Sequence, residues 1–145
     1  MNEVTNKQFT HLKIHTQYSI CEGALRTSDL AKYCKINQVK AVGLCDSNNL
    51  CGALEFSELI AKSKTQPIIR TQINVKYKDN LGKIPLFAKN LEGYKNLIKL
   101  SSKSYLEIKD TEDPHCNVDD IEKNYKGLIL LTGSFDGLVG KLFFK

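Results

Sequence analysis

The sequence predicts an α/β fold in which helices cover a mostly parallel sheet. Two apolar stretches of strand length, residues 39–46 and 127–133, are the first observation. The second is the helical spacing of apolar residues at residues 91–106. The third is the alternation of strand and helix patterns along the chain, which is typical of βα units with parallel pairing.

The first strand is predicted at residues 11–14, where apolar and polar residues alternate before a polar turn. Side chains alternate between the two faces of a strand, so His11, Lys13 and His15 share one face. Two imidazoles beside an ammonium are unusual at a strand end. With histidine in place of Lys13, this face would present neutral nitrogen ligands suited to zinc, manganese or iron.

A helix and a buried strand follow. Thr27 or Ser28 is a suitable N-cap for a helix that ends near Ile36. The strand at residues 39–46 is largely apolar and ends at Asp46. Functional groups are often found at the carboxyl ends of strands in βα scaffolds. Periodicity alone therefore predicts a functional role for Asp46.

The middle of the chain is predicted to contain a helix, a hairpin and a second helix. Residues 47–63 indicate a loop followed by an amphipathic helix. Two strands are indicated at residues 67–77 and 84–89, joined through a turn at residues 79–82. The next helix spans residues 91–106, with its apolar residues on one face.

The last third is predicted to form a short helix, a buried strand and a final helix. Asn117 and the acidic residues after it favour a helix start, and this helix runs to Tyr125. Residues 127–133 form the strand and residues 138–144 the final helix. The pattern then stops without a closing strand, which indicates a fragment of a longer chain.

Composition indicates a soluble globular protein. Of 145 residues, 41% are hydrophobic and 26% are charged, which leaves enough apolar side chains for one substantial core. The net charge is +5, but the lysines are scattered, which favours a solvated surface over a nucleic-acid site. The polar N-terminus and the lack of a long apolar run predict a cytoplasmic location.

The five cysteines are predicted to be reduced. Their odd number and the absence of a CxxC pair argue against a disulfide framework. No histidine lies near them in sequence, so we expect core packing rather than nucleophilic catalysis. P-loop, GxGxxG and GxSxG motifs are also absent from the sequence. The cysteines are Cys21, Cys34, Cys45, Cys51 and Cys116.

Residues 11–23, HLKIHTQYSICEG, resemble the opening motif HLHxHSxYSxxDG of the polymerase and histidinol phosphatase (PHP) domain. The similar form is the one at the N-terminus of bacterial DNA polymerase III alpha subunits. Lys13 stands at the position of the first metal-binding histidine. The matching positions are His11, His15, Tyr18, Ser19 and Gly23.

Four further stretches extend the resemblance to residue 143. Residues 45–56, CDSNNLCGALEF, resemble TDHxNLxGAxxF, and residues 66–75, QPIIRTQINV, resemble KPIIGxExxV. Residues 83–105, KIPLFAKNLEGYKNLIKLSSKSY, resemble HLxLLAKNxxGYxNLxKLxSxAY and are the most specific match. Residues 127–143, GLILLTGSFDGLVGKLF, resemble GLIxLSGCxxGExxxxL.

The resemblance implies a degenerate metal site. His15 and Asp46 remain at ligand positions, whereas the other alignable ligand positions are substituted. The substituted positions are Lys13, Gln72, Lys83 and Ser134. Ammonium groups at a cation site are repulsive, so we expect no bound metal. The alternative is a still active site with zinc, manganese or magnesium.

Structural roles are therefore expected for the remaining candidates. His15 is predicted to be a hydrogen-bonded structural residue, and His11 to cap or pack. His115 is predicted to face solvent. Asp46 is expected to hold the loop that follows it by accepting backbone N–H bonds. A further hypothesis is that Lys13 pairs with Asp46 and occupies the emptied site.

The resemblance implies an incomplete, distorted TIM-like (βα) barrel of the PHP type. Residues 1–145 would be the N-terminal portion of this single domain, truncated at its C-terminal end. The parent protein would be a DNA-directed DNA polymerase, a nucleotidyltransferase of DNA replication. In this portion we expect no catalytic residues and a structural, subunit-docking role.

The partners implied by the resemblance are the rest of the alpha subunit, the proofreading exonuclease subunit and other replicase subunits. DNA would be contacted through the parent protein, and no membrane is implied. One alternative function is a metal-dependent phosphoesterase, either a 3'-5' exonuclease or a histidinol-phosphatase relative. Another is a free-standing, non-catalytic remnant of a truncated polymerase gene.

Overall fold

The computed structural model describes residues 9–109, 111–135 and 137–143, and these form five helices and five strands. The helices are α1 Thr27–Ile36, α2 Ala53–Lys62, α3 Leu91–Leu106, α4 Val118–Lys123 and α5 Leu138–Phe143. The strands are β1 Ala41–Ser47, β2 Gln66–Tyr77, β3 Asn80–Ala88, β4 Cys116–Asn117 and β5 Leu128–Leu130. No helix within these ranges is long and apolar enough to cross a membrane.

The sheet is mixed rather than mostly parallel. Its strands run in the order β1-β2-β3-β5, with β4 beside β2. β2 pairs in parallel with β1 and β4, whereas β3 is antiparallel to both β2 and β5. The expectation of mostly parallel pairing is wrong because Tyr77 and Asn80 pair across a two-residue connection. Such a tight turn joins antiparallel strands.

Helices cover one side of the sheet through two apolar clusters. The first joins α1 and α2 to β1, and the second joins α3 and the short elements to β2 and β3. Fully burying a large apolar side chain stabilises the fold by about 1.5–3 kcal/mol. Central members of the two clusters are Cys34, Leu44, Phe56, Ile60, Ile73, Val75, Leu86, Leu97 and Leu100.

The ends of the helices follow local sequence signals to different degrees. α3 has the predicted bounds, and the side chain of Asn90 caps it by accepting from the Gly93 amide. α4 begins after Asn117, as expected, with a capping box formed by Asn117 and Asp120, but it ends at Lys123 rather than Tyr125. The N-cap of α1 is Arg26 instead of Thr27 or Ser28, and it makes no side-chain cap hydrogen bond.

The two outer strands are weaker than predicted. The first segment makes isolated bridges at Ile14 and Thr16 rather than a continuous strand. β5 covers only Leu128–Leu130 and is half-buried to exposed, so the expectation of a buried strand at residues 127–133 is wrong. Among the described residues β5 pairs with β3 alone, and its other edge has no neighbour. The predicted end of the last helix at residue 144 lies outside the described residues.

Candidate functional site

A cleft of about 540 Å³ lies on the sheet face that carries Gln72, Asn74 and Lys83, and Lys141 of α5 also lines it. In the register, Ser47 is beside Gln72, and Asn74 is beside Lys83, so alternate residues of β1, β2 and β3 share this face. The structure brings together five of the six predicted site residues in the cleft lining. These are Lys13, His15, Gln72, Lys83 and Ser134.

The sixth residue, Asp46, is fully buried beneath the loop of residues 16–19, which precedes α1. Its carboxylate accepts hydrogen bonds from the Thr16 amide at 2.7 Å, the Thr16 hydroxyl at 2.8 Å and the Ser19 hydroxyl at 2.7 Å. Asp46 therefore holds a loop, as predicted, but the loop precedes β1 instead of following it. Lys13 is exposed and makes no ion pair with Asp46, so the hypothesis of a Lys13–Asp46 pair is wrong.

His15 is oriented by the same buried carboxylate through Ser19. The Ser19 hydroxyl donates its one proton to Asp46, so it accepts from His15 Nδ1, which lies 3.3 Å away. This arrangement assigns the proton to Nδ1 and leaves Nε2 unprotonated. Partial burial lowers the pKa of His15, Lys13 lowers it further, and Glu22 opposes the shift. Burial therefore favours the neutral form of His15.

Glu22 is the site residue that sequence reasoning missed. Lys83 Nζ donates to Glu22 Oε1 at 2.6 Å, and the Ser47 hydroxyl donates to Glu22 Oε2. Gln72 Nε2 donates in turn to Ser47 Oγ at 2.8 Å. The hydrogen bonds from Lys83 and Ser47 hold the pKa of the Glu22 carboxyl below its usual value. The available signal was the aspartate of the opening motif, whose position Glu22 occupies.

A model of one family, the PHP domain, matches residues 11–145. The chain belongs to the PHP domain family. It is 38% identical over 146 residues to DNA polymerase III subunit alpha of Borreliella burgdorferi, covering 93% of this chain and 13% of that protein. The corresponding protein of Rickettsia felis is 37% identical over 135 residues, covering 92% and 11%. That of Haemophilus influenzae is 34% identical over 141 residues, covering 95% and 12%.

Solved structures agree on the fold of this PHP chain. A Bifidobacterium adolescentis protein described as a metal-dependent phosphoesterase superposes with a TM-score of 0.51 at 16% identity, covering 68% of this chain and 35% of that chain. An amidohydrolase from Chromobacterium violaceum gives 0.50 at 14% identity, covering 65% and 34%. The fold is therefore the predicted α/β class, a partial TIM-like barrel of the PHP type.

The carboxylates of this PHP site accept hydrogen bonds from donors of the same chain. Within residues 9–109, 111–135 and 137–143, no group of three or more His, Cys, Asp or Glu side chains is arranged to hold one. Both Asp46 oxygens are used by buried donors, and an ammonium occupies Glu22 Oε1. Lys13 and Lys83 line the cleft and would repel a divalent cation.

The other candidate side chains are structural. His11 packs edge-on against Phe9 with ring centroids 4.8 Å apart, as expected. His115 is 7% exposed, so the prediction that it faces solvent is wrong. Its Nδ1 lies 2.8 Å from the Asp113 carbonyl, which holds the ring inside the polar loop. Cys45 is buried and its pKa is raised by burial, so it is a core residue rather than a nucleophile.

We expect His15 to titrate below its ordinary pKa of 6.5. Because the folded protein then binds fewer protons than the unfolded chain, His15 reduces stability as the pH falls through about 6.5. The Lys13→Met substitution removes a repelling charge and should raise the pKa of His15. Proton NMR of the imidazole resonances against pH measures the pKa of His15 in both proteins. Lys32→Met on α1 is the control that leaves the titration unchanged, and an unshifted His15 would contradict the assignment.

Proposed function

We propose that this chain is the N-terminal PHP region of a replicative DNA polymerase III alpha subunit and serves it as a scaffold without metal chemistry. The observation that carries the proposal is 34–38% identity to such subunits over 92–95% of the chain. The chain spans about an eighth of the length of these relatives. DNA polymerisation would therefore be an activity of the longer parent protein, with its active site outside these residues. We propose that this parent protein acts in the cytoplasm.

The scaffold role is supported by the way the site side chains are used. Asp46 and Glu22 are bonded to donors of this same chain rather than left available for a ligand. Lys13 and Lys83 place positive charge where a divalent cation would be needed. The surfaces outside the cleft would then dock the rest of the alpha subunit, the proofreading exonuclease subunit and other replicase subunits.

Immunodepletion from the source cell tests the polymerase part of the proposal. An antibody against residues 91–106 should remove primer-extension activity from the extract, and peptides of this chain should migrate in a polypeptide several times heavier than 16.3 kDa. Depletion with an unrelated antibody is the control. Migration near 16.3 kDa with primer extension retained would overturn the polymerase role and leave the free-standing remnant.

Metal analysis tests the scaffold part separately. We expect the purified natural protein to carry no metal held by this region, and added Mn²⁺ or Zn²⁺ to stimulate no phosphate release from p-nitrophenyl phosphate. The His15→Ala substitution should leave the background of this assay unchanged. Metal-stimulated release that His15→Ala abolishes would instead support a metal-dependent phosphoesterase, either a 3'-5' exonuclease or a histidinol-phosphatase relative.

A further inference from the structure

We infer that the ammonium of Lys83 acts as a resident cation, which ties the loop of residues 16–23 to β3 through Glu22 and replaces a metal cross-link. The Glu22 network consists of Glu22, Lys83, Ser47 and Gln72. The inference extends the metal-free part of the proposed function, since it names what holds the site together in place of a metal.

The Glu22 network connects segments that are distant in sequence. Glu22 lies at the end of the loop, and Lys83 lies 61 residues later on β3. The second oxygen of Glu22 accepts from Ser47 at the end of β1, and Gln72 of β2 donates to that hydroxyl. One carboxylate thus joins the loop to three neighbouring strands.

The geometry differs from that of an ordinary surface ion pair. The side chains of Lys83 and Glu22 are 42% and 38% exposed, so the pair is open to solvent and differs from other surface pairs in the segments that it connects. Each Glu22 oxygen has its own donor, which fixes the carboxylate in two directions. By contrast, Lys32 and Asp29 pair three residues apart on α1, with 73% and 53% exposure, and connect no separate segments.

The same geometry excludes a metal from Glu22. A divalent cation that approached this carboxylate would meet the Lys83 ammonium already bound to it, and like charges repel. His15, whose imidazole lines the cleft, directly precedes the loop. The hydrogen bond between Lys83 and Glu22 therefore keeps the loop beside β3 without a metal ion.

Hydrogen–deuterium exchange in the full natural polypeptide tests this inference. In the loop, the amides of Gln17, Ser19 and Gly23 are hydrogen-bonded, so their exchange reports loop opening. We expect Glu22→Gln and Lys83→Met each to raise exchange in peptides covering residues 16–23 by about threefold to fivefold. The double substitution should give about the increase of one alone, because both remove the same interaction.

Two controls separate a local effect from general loss of structure. Asp29→Asn breaks the exposed pair on α1 and should leave exchange in residues 16–23 unchanged. Peptides from α3 should also keep their exchange rates in every variant. If the α3 peptides change, Ser47→Ala should still raise exchange in the loop alone, because it removes the hydrogen bonds of Ser47 to Glu22 and Gln72 but keeps the Lys83–Glu22 pair.

The possible contrary outcomes point to different failures. The role of Lys83 would be wrong if the single substitutions did not raise exchange in residues 16–23, or if their increases multiplied in the double variant. The proposal of a metal-free scaffold would be unaffected by either result. If a chelator such as EDTA raises exchange in residues 16–23 of the unsubstituted protein, a metal holds the loop. Both the inference and the metal-free part of the proposed function would then be wrong.

Discussion

Replacing Asp46 with alanine is expected to lower the free energy of unfolding by about 3–5 kcal/mol. The buried carboxylate accepts three hydrogen bonds, from the Thr16 amide, the Thr16 hydroxyl and the Ser19 hydroxyl. Thr16 is fully buried and Ser19 is 1% exposed, so water cannot readily replace the lost acceptor. Urea unfolding followed by far-ultraviolet circular dichroism measures the change.

Asp46→Asn provides a sharper form of this prediction. The amide keeps the shape of the side chain but presents an NH₂ group where one carboxylate oxygen accepts a hydrogen bond. We expect Asp46→Asn to lower the free energy of unfolding by about 2–3 kcal/mol, which is less than the effect of Asp46→Ala. Asp29→Ala on the exposed face of α1 should change stability by less than about 0.5 kcal/mol. An Asp46→Ala effect as small as this control would show that the carboxylate does not hold the loop.

The parts of the fold that the sequence predicted well depend on local signals. α3 was placed correctly because Asn90 is a strong cap and its apolar residues recur with helical spacing. The hairpin of β2 and β3 was predicted from the turn residues between two strand patterns, but the turn is shorter than residues 79–82 because β3 already begins at Asn80. Exposure of β5 depends instead on which strands lie beside it, and periodicity carries no information on neighbours.

The candidate site was predictable as a set of positions but not as a set of contacts. Family motifs correctly gathered Lys13, Gln72 and Lys83 into one cleft. The sequence predicted that Lys13 pairs with Asp46. In the structure Asp46 is buried under residues 16–19, and the lysine of the cleft that pairs with a carboxylate is Lys83, which binds Glu22. Thr16 and Asp46 are 30 residues apart, and Glu22 and Lys83 are 61 residues apart. Such pairings depend on side-chain direction and burial, which the periodicity of the sequence does not give.

The most specific family stretch, residues 83–105, has a physical explanation in how α3 meets β5. Asn90 caps α3, and Asn96 donates from Nδ2 to the Lys126 carbonyl at 2.8 Å. The Gly127 carbonyl accepts from the Lys89 amide at 2.9 Å. Gly127 has a φ of +70°, and Gly93 packs directly against it. The AKN and GYKNL residues thus dock the helix onto the chain before β5, which is a structural role.

Gly93→Ala should therefore destabilise the protein by at least about 2 kcal/mol, although alanine is the better helix former by about 1 kcal/mol. A Cβ at residue 93 would collide with the Gly127 carbonyl group, lying 2.6 Å from its carbon, and neither backbone can move aside without losing the contacts of Asn90 and Asn96.

Whether Gly93→Ala lowers or raises the free energy of unfolding shows which factor dominates, the close packing of Gly93 against Gly127 or the higher helix propensity of alanine. Ser102→Ala on the exposed face of α3 is the matched control and should stabilise the protein by a few tenths of a kcal/mol. Urea unfolding of both variants gives the comparison. A stabilising Gly93→Ala would mean that α3 does not pack against Gly127. The glycine of the family motif would then need another explanation.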